Sequence, residues 1–305
     1  NGKLKLSEIV LAKLTTSADS LGLDVDGNSS IASLTVNNLT PVSVADGKSI
    51  SGNIFLNAGG TLKLNETGTV ASSLEMIGGT LDVDESLTLS GALSQSGDAI
   101  IDVVQDKTLT YAGGAVNLGA NTLNFDGKGT FSNTNALVLN NADSLLSLND
   151  TITVGSASVT AASNENKGLA VNASGTISSL SISANTSLNI ANEITLGGAA
   201  EIAEDTTLTL NNTGTFGSTL NLKGSLDLVA NQTVTGLISV GGDASISIPE
   251  NITLNYSGGN LKVGDNTLSI AGSGILSNAE NSALVLDLEN STLDLSGTGT
   301  IAGPV

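Results

Sequence analysis

Apolar and polar residues alternate along most of the chain in short runs: TLKL at 61–64, TLDV at 80–83, SLTL at 86–89, TLTL at 207–210, TLNL at 219–222, SLDL at 225–228, SISI at 245–248 and TLDL at 292–295. A period of two sends one set of side chains to a buried face and the other to solvent, so these runs predict short, half-buried β-strands. From Leu220 onward the run centres fall roughly 6 to 9 residues apart, separated by Gly, Asn or Asp. That is tighter than the spacing of about 8 to 12 residues expected of a sandwich, and it suits a solenoid with three short faces in a coil of roughly 20 to 22 residues.

The pattern is itself repeated. The 37 residues of 97–133 match those of 242–278 at 17 positions without a gap, and Leu109/Leu254, Val116/Leu261, Leu123/Leu268 and Phe131/Leu276 stay apolar. Upstream, Gly22/Gly168, Val25/Val171, Leu34/Leu180 and Gly52/Gly198 agree at a shift of 146. The chain therefore divides into a first copy over 1–146, a second over 147–293, and 294–305 as the end or the start of a third copy. The expected fold is all-β: a single-stranded parallel β-helix of about 14 to 15 rungs, one continuous rod on the order of 70 Å long at about 4.8 Å per rung.

The exception to the strand pattern is LSEIVLAKL at 6–14, where Ser7 would cap a helical turn and Leu6, Val10 and Leu14 would share a face. That segment reads either as a cap within 1–16 or as another irregular strand. Pro41, Pro249 and Pro304 are expected beside turns or at the end, because proline cannot donate to a ladder. Asn at the strand ends suits turns, with amide ladders from rung to rung.

Composition narrows the chemistry. The chain has no Cys, His, Trp or Arg, which removes soft metal sites, thiol and imidazole catalysis and bidentate anion clamps, and no cofactor is expected. A net charge of −19 disfavours nucleic acid and anionic membranes as partners. Aromatic residues make up only 2%, so the core must be a thin one of Leu, Ile and Val, and 39% apolar content argues against disorder. No uninterrupted apolar run approaches the length of a membrane span. The start at Asn1, without Met or a leader-like segment, reads as a processed chain or a fragment.

Asp82 and Asp84, followed by Glu85, have the spacing of a glycosidase carboxylate pair, but the second copy carries Asp227 and Val229 there and no aromatic platform is near. No catalytic residue is assigned, and the chain is expected not to be an enzyme. Asp24, Asp26 and Asn28 offer oxygen ligands reminiscent of half a calcium loop, yet their counterparts are Ala170, Asn172 and Ser174. The reading weighed against it is a solvated strand end. Thr pairs (Thr108/Thr110, Thr151/Thr153, Thr207/Thr209, Thr233/Thr235, Thr298/Thr300) suggest the flat arrays of ice-binding solenoids, but along the sequence they are too irregular to give one pair per rung. Charge is unevenly spread: Lys3, Lys5 and Lys13 dominate the first turn, whereas Asp287, Glu289 and Asp294 follow the last lysine, Lys262. These six residues mark two ends of opposite sign, suited to head-to-tail association of a chain with itself.

The runs TLKLNETGT (61–69), NTLNFDGKGT (121–130), TLTLNNTGT (207–215), NTLSIAGSGI (266–275) and TLDLSGTGT (292–300) make the chain resemble the β-helical passengers of bacterial autotransporters and filamentous-haemagglutinin-like exoproteins. The resemblance covers nearly the whole chain and implies a right-handed β-helix, secreted or displayed at the cell surface, with an adhesive or structural role. Unlike a complete member, the sequence shows no signal segment and no membrane barrel. The expected function is a rigid extracellular segment of a bacterial fibre, filament or adhesin, with another copy of itself or a host or neighbouring cell surface as partner. The alternative is a carbohydrate-active enzyme or lectin on the same scaffold.

Overall fold

Alternating strands of four residues cannot bury a face alone, and in the computed structural model they do so by coiling. The structure describes residues 3–16, 22–297 and 299–305, with Lys3 described by its backbone only. It is an all-β parallel β-solenoid of about 14 turns, with no helix among the described residues. Contacts divide it into two units, 1–140 with 144–156, and 141–143 with 157–305.

In the first unit, face A is a parallel stack of eight strands running from Lys3–Leu6 to Leu145–Leu148. Leu62, Leu81, Ile101 and Phe125 follow one another in register along its buried side. Each coil then turns into face B, exemplified by Leu87–Leu89 and Thr108–Tyr111, and into face C, exemplified by Ser73–Met76 and Leu93–Gln95. The aromatic residues thicken one part of this core. Tyr111 stacks on Phe131 at 6.1 Å, and Phe125 lies 5.2 Å from Phe131. Burial of each such side chain contributes roughly 1.5–3 kcal/mol, so the inward file is the main source of stability.

The second unit has the same three faces, with seven face-A strands from Gly168–Val171 to Thr292–Ser296. Coil length varies more than the sequence pattern suggests, from 18 residues between Leu208 and Leu226 to 25 between Leu268 and Leu293. The variation is absorbed in turns, leaving the inward files unbroken.

The two units repeat backbone detail as well as side-chain pattern. Ser29–Val36 and Ser49–Leu56 run across faces B and C with a register shift between Ile31 and Leu34, and Gly175–Ile182 and Thr195–Ile202 do the same between Ile177 and Leu180. At each shift a glycine takes a positive φ, +120° at Gly52 and +117° at Gly198. Tyr111 and Tyr256 are a second such pair. Their buried hydroxyls accept the N–H of Leu93 (3.0 Å) and of Ile238 (3.3 Å), both on face C, satisfying donors that would otherwise be orphaned.

The helical reading of 6–14 is not realised. Lys3–Leu6, Val10–Leu11 and Leu14–Thr16 form an ordinary first coil, paired in parallel with Gly22–Val25 and Ser29–Val36. Leu6 is buried while Val10 is 80% exposed, so the supposed apolar stripe does not share a face. Pairing to the next coil overrides the local helical pattern, and Glu8 supplies the turn at φ +56°. Pro41 also differs from expectation, lying inside Leu39–Val44. It is tolerated because the ladder to Gly22–Val25 begins only at Val42.

Candidate functional site

The inward positions of both units are largely apolar and buried, so any function must reside on the outward ones. Face A of the first unit is the most charged. Lys63, Asp82, Asp102 and Asp126 follow one another outward on successive strands. Lys63 Nζ lies 2.9 Å from Asp82 and 2.7 Å from Asp84, and its own pKa is raised chiefly by the hydrogen bond to Asp84. The carboxylate pair singled out in the sequence is thus held on one ammonium, and Glu85 turns away to Lys107 at 2.5 Å. Asp102 has no lysine within ion-pair distance among the described residues. Partial burial raises its pKa first, and repulsion from Asp82, Asp126 and Asp150 adds to the shift. Asn149 donates to Asp126 at 3.0 Å, relieving the next member of the file.

In the second unit the corresponding file carries Thr209, Asp227 and Ser247. Asp227 is also raised, by desolvation alone. The charged file therefore belongs to the first unit only.

The candidate calcium ligands are not brought together as a set. Asp24 and Asp26 point outward from adjoining positions, with Asp26 3.9 Å from Lys5. Asn28 instead caps a turn, its Oδ1 accepting the N–H (3.1 Å) and hydroxyl (3.3 Å) of Ser49. Ser174, its counterpart, caps Thr195 in the same way. Among the described residues no group of three or more acidic side chains is arranged to hold a metal ion.

Of the end charges, Lys5 and Lys13 are exposed on the first coil, and the side chain of Lys3 lies outside the described residues. Glu289 and Asp294 are exposed as well. Asp287 has a different occupation: its Oδ1 accepts the N–H of Gly264 at 3.0 Å, and Lys262 is 3.7 Å away. Asn140 does the same for Gly119 at 2.9 Å, so Asp287 occupies a turn-capping position of the repeat. Asp98 and Asp243 form another recurrent pair, accepting the N–H of Thr122 and of Thr267. The recurrence of Asp98 and Asp243 is visible in the sequence, but it becomes a cap only when coil pairing brings Thr122 and Thr267 beside them.

Face C of the second unit forms an open trough of about 450 Å³ lined by Ser181, Glu201, Thr219, Asn221 and Ser239. Glu201 accepts from Lys223 (3.0 Å) and Asn221 (2.8 Å), which hold its carboxyl below the usual range. A carboxylate held in this way is a poor general acid.

On face B the structure corrects one expectation. Thr69, Thr88, Thr110 and Ser132 fall in register on consecutive coils, as do Thr108, Thr130 and Thr153. The sequence hides this order because coil lengths vary and serine substitutes for threonine. Thr298 lies outside the described residues.

Asn ladders form as expected, with Asn57 donating to Asn37 at 2.7 Å and Asn211 to Asn189 at 3.0 Å. Comparison with protein-family models, with curated proteins and with solved structures finds no match to this chain.

Proposed function

We propose that this chain is a structural, non-catalytic segment of an extracellular bacterial fibre or adhesin, of the autotransporter or filamentous-haemagglutinin-like kind. One observation carries the reading: what recurs between the units is scaffold chemistry. The glycines Gly52 and Gly198, the tyrosines Tyr111 and Tyr256 and the caps Asp98 and Asp243 are repeated, whereas the file Lys63–Asp82–Asp102–Asp126 is not. An enzyme duplicated to keep its chemistry would keep the chemical groups, while a stiffening element keeps turns and core.

In this reading the backbone ladders supply stiffness and the Leu, Ile and Val files supply stability, and the acidic exterior limits lateral aggregation through like-charge repulsion. The partner is a second copy meeting end to end, or the continuation of a longer array. The exposed Lys5 and Lys13 and the exposed Glu289 and Asp294 offer the opposite charges for that contact. Nucleic acid and membrane insertion play no part.

Electron microscopy of the purified chain at rising concentration tests the assembly. Filaments are expected, with slower growth after Lys5→Glu and Lys13→Glu. Monodisperse particles at every concentration and salt would overturn self-assembly, and unchanged growth of the charge variants would overturn its electrostatic part.

A further inference from the structure

Face B of the first unit presents two parallel files of hydroxyls. One comprises Thr69, Thr88, Thr110 and Ser132. The other comprises Thr108, Thr130 and Thr153. Strands in a sheet lie about 4.8 Å apart and alternate residues about 6.6 Å, so the hydroxyls form rows over five coils that become two-dimensional where Thr108/Thr110 and Thr130/Ser132 lie side by side.

We propose that this face binds the surface of ice. Ice differs from a soluble ligand in being an uncharged, repeating plane of water, and a protein can dock on it only through a rigid, periodic and uncharged face. Three independent properties meet that requirement. The hydroxyls of Thr69, Thr88, Thr110, Thr130, Ser132 and Thr153 make no hydrogen bond within the protein among the described residues, so they are free to replace lattice waters. Some hydroxyls elsewhere are engaged, as when Ser73 donates to Asn53 (2.6 Å), Ser245 to Ser225 (2.8 Å) and Thr213 to Asn192 (3.0 Å).

Charge is the second property. In a chain of net charge −19, no charged side chain points outward from these face-B strands. Charges begin only at the turn that enters the face, where Lys107 pairs with Glu85. A charged group there would hold a liquid-like hydration shell against the crystal, whereas threonine methyl groups between the hydroxyls exclude it.

Rigidity is the third. Directly behind the files lie Val70, Leu87, Leu89, Leu109 and Phe131, all buried. The array is thus ordered before contact, so less entropy is lost when it docks on an ordered plane of water.

The second unit serves as an internal control, because its matching positions break the lattice. Ile275 stands where Thr130 does, and Thr233 pairs onward with Asn255 and then Ser277. The proposal is independent of the fibre reading.

The test is ice growth in the presence of the purified chain, scored in a nanolitre osmometer and by recrystallisation of a frozen film. Faceted crystals, a gap between melting and freezing temperatures, and arrested recrystallisation are expected. Thr88→Lys and Thr110→Lys should abolish all three, and Thr110→Val should reduce them while preserving shape. Thr233→Lys, the second-unit counterpart of Thr88→Lys, should leave them intact. Far-UV circular dichroism identifies any variant that fails to fold, and Thr110→Val keeps the test decisive in that case. Round crystals growing freely at the highest soluble concentration, equal loss in Thr233→Lys, or binding to crystalline polysaccharide without any effect on ice would each overturn the proposal.

Discussion

Replacing Gly52 by alanine should be among the most damaging single-methyl additions the first unit can suffer. An alanine Cβ at this position would lie 1.8 Å from the carbonyl oxygen of Ile31 and 2.6 Å from its carbon, both backbone atoms that cannot rotate away. Restoring even a tight contact of 3.0 Å requires the two coils to part by about 1.2 Å. The flanking bonds between those two coils, such as Asn57 N–H to Val36 O at 3.0 Å, cannot stretch that far and survive. Each lost bond costs about 0.5–1.5 kcal/mol, and holding φ near +120° on a residue with a Cβ costs a further 1–3 kcal/mol or so. The sum is about 4 kcal/mol. Gly198→Ala should cost the same in the second unit, where Ile177 O stands at 1.8 Å. Gly47→Ala is the control: φ is +67° but nothing lies within 4 Å, so only the left-handed penalty of about 1–2 kcal/mol applies. Because a solenoid is stabilised coil by coil, the readout is native-state hydrogen exchange, with lost protection centred on the coils around residue 52 or residue 198. If Gly52→Ala cost no more than Gly47→Ala, the steric account of this bulge would be wrong.

Glu193 (φ +64°) and Asp205 (φ +59°) occupy left-handed turn positions that the first copy fills with Gly47 and Gly59, so Glu193→Gly and Asp205→Gly should each stabilise the second unit by up to about 1 kcal/mol in urea titrations, and destabilisation would refute the argument. Asp102 and Asp227 have raised folded pKa values, so each contributes stability that is complete below the ordinary value of 3.8 and is lost as pH rises through the raised folded value. Asp102→Asn should therefore increase stability at neutral pH and flatten the wild type's loss of stability with rising pH. A stability difference between variant and wild type that does not change with pH would rule this out. Tyr111→Phe and Tyr256→Phe leave the buried N–H groups of Leu93 and Ile238 without an acceptor and should each cost about 1–3 kcal/mol by thermal or chemical unfolding; a neutral substitution would mean that another acceptor moves in.

Most of the scaffold could be read from the chain because its signal is redundant. Leu62, Leu81, Ile101 and Phe125 each sit in an alternating run, and each run is one rung, so period two and the long repeat point to one answer. The failures come where meaning depends on a neighbouring coil. Leu6, Val10 and Leu14 have helical spacing, but the strand Ser29–Val36 pairs with Val10–Leu11 and Leu14–Thr16 and decides otherwise. Asn28, weighed as a calcium ligand against a solvated strand end, caps Ser49 through its Oδ1, 21 residues on. Asp287, singled out as an end charge, also accepts the N–H of Gly264, a role visible only once the coils pair. The hydroxyl files of face B could not be seen for a related reason: the steps along them are 19, 22 and 22 residues, and no single sequence period connects them.

This separation has a physical consequence for how such a chain can acquire function. An inward leucine is constrained by the coils before and after it, whereas an outward residue needs only to avoid clashing with two neighbours on the same file. Duplication therefore leaves two copies free to diverge outward at small cost. The pair Asp102 and Ser247 illustrates this: both follow an inward isoleucine, Ile101 or Ile246, yet Asp102 lies between Asp82 and Asp126 whereas Ser247 lies between Asp227 and Ala271. Face B of the first unit shows the same freedom in the opposite direction, since in so acidic a chain the outward positions have remained uncharged over four consecutive coils while face A beside it accumulated aspartates. Face B of the second unit, with Thr215, Thr233, Asn255 and Ser277, is uncharged as well, so what sets the first unit apart for contact with an uncharged periodic surface is that its outward hydroxyls stand in register on a rigid core.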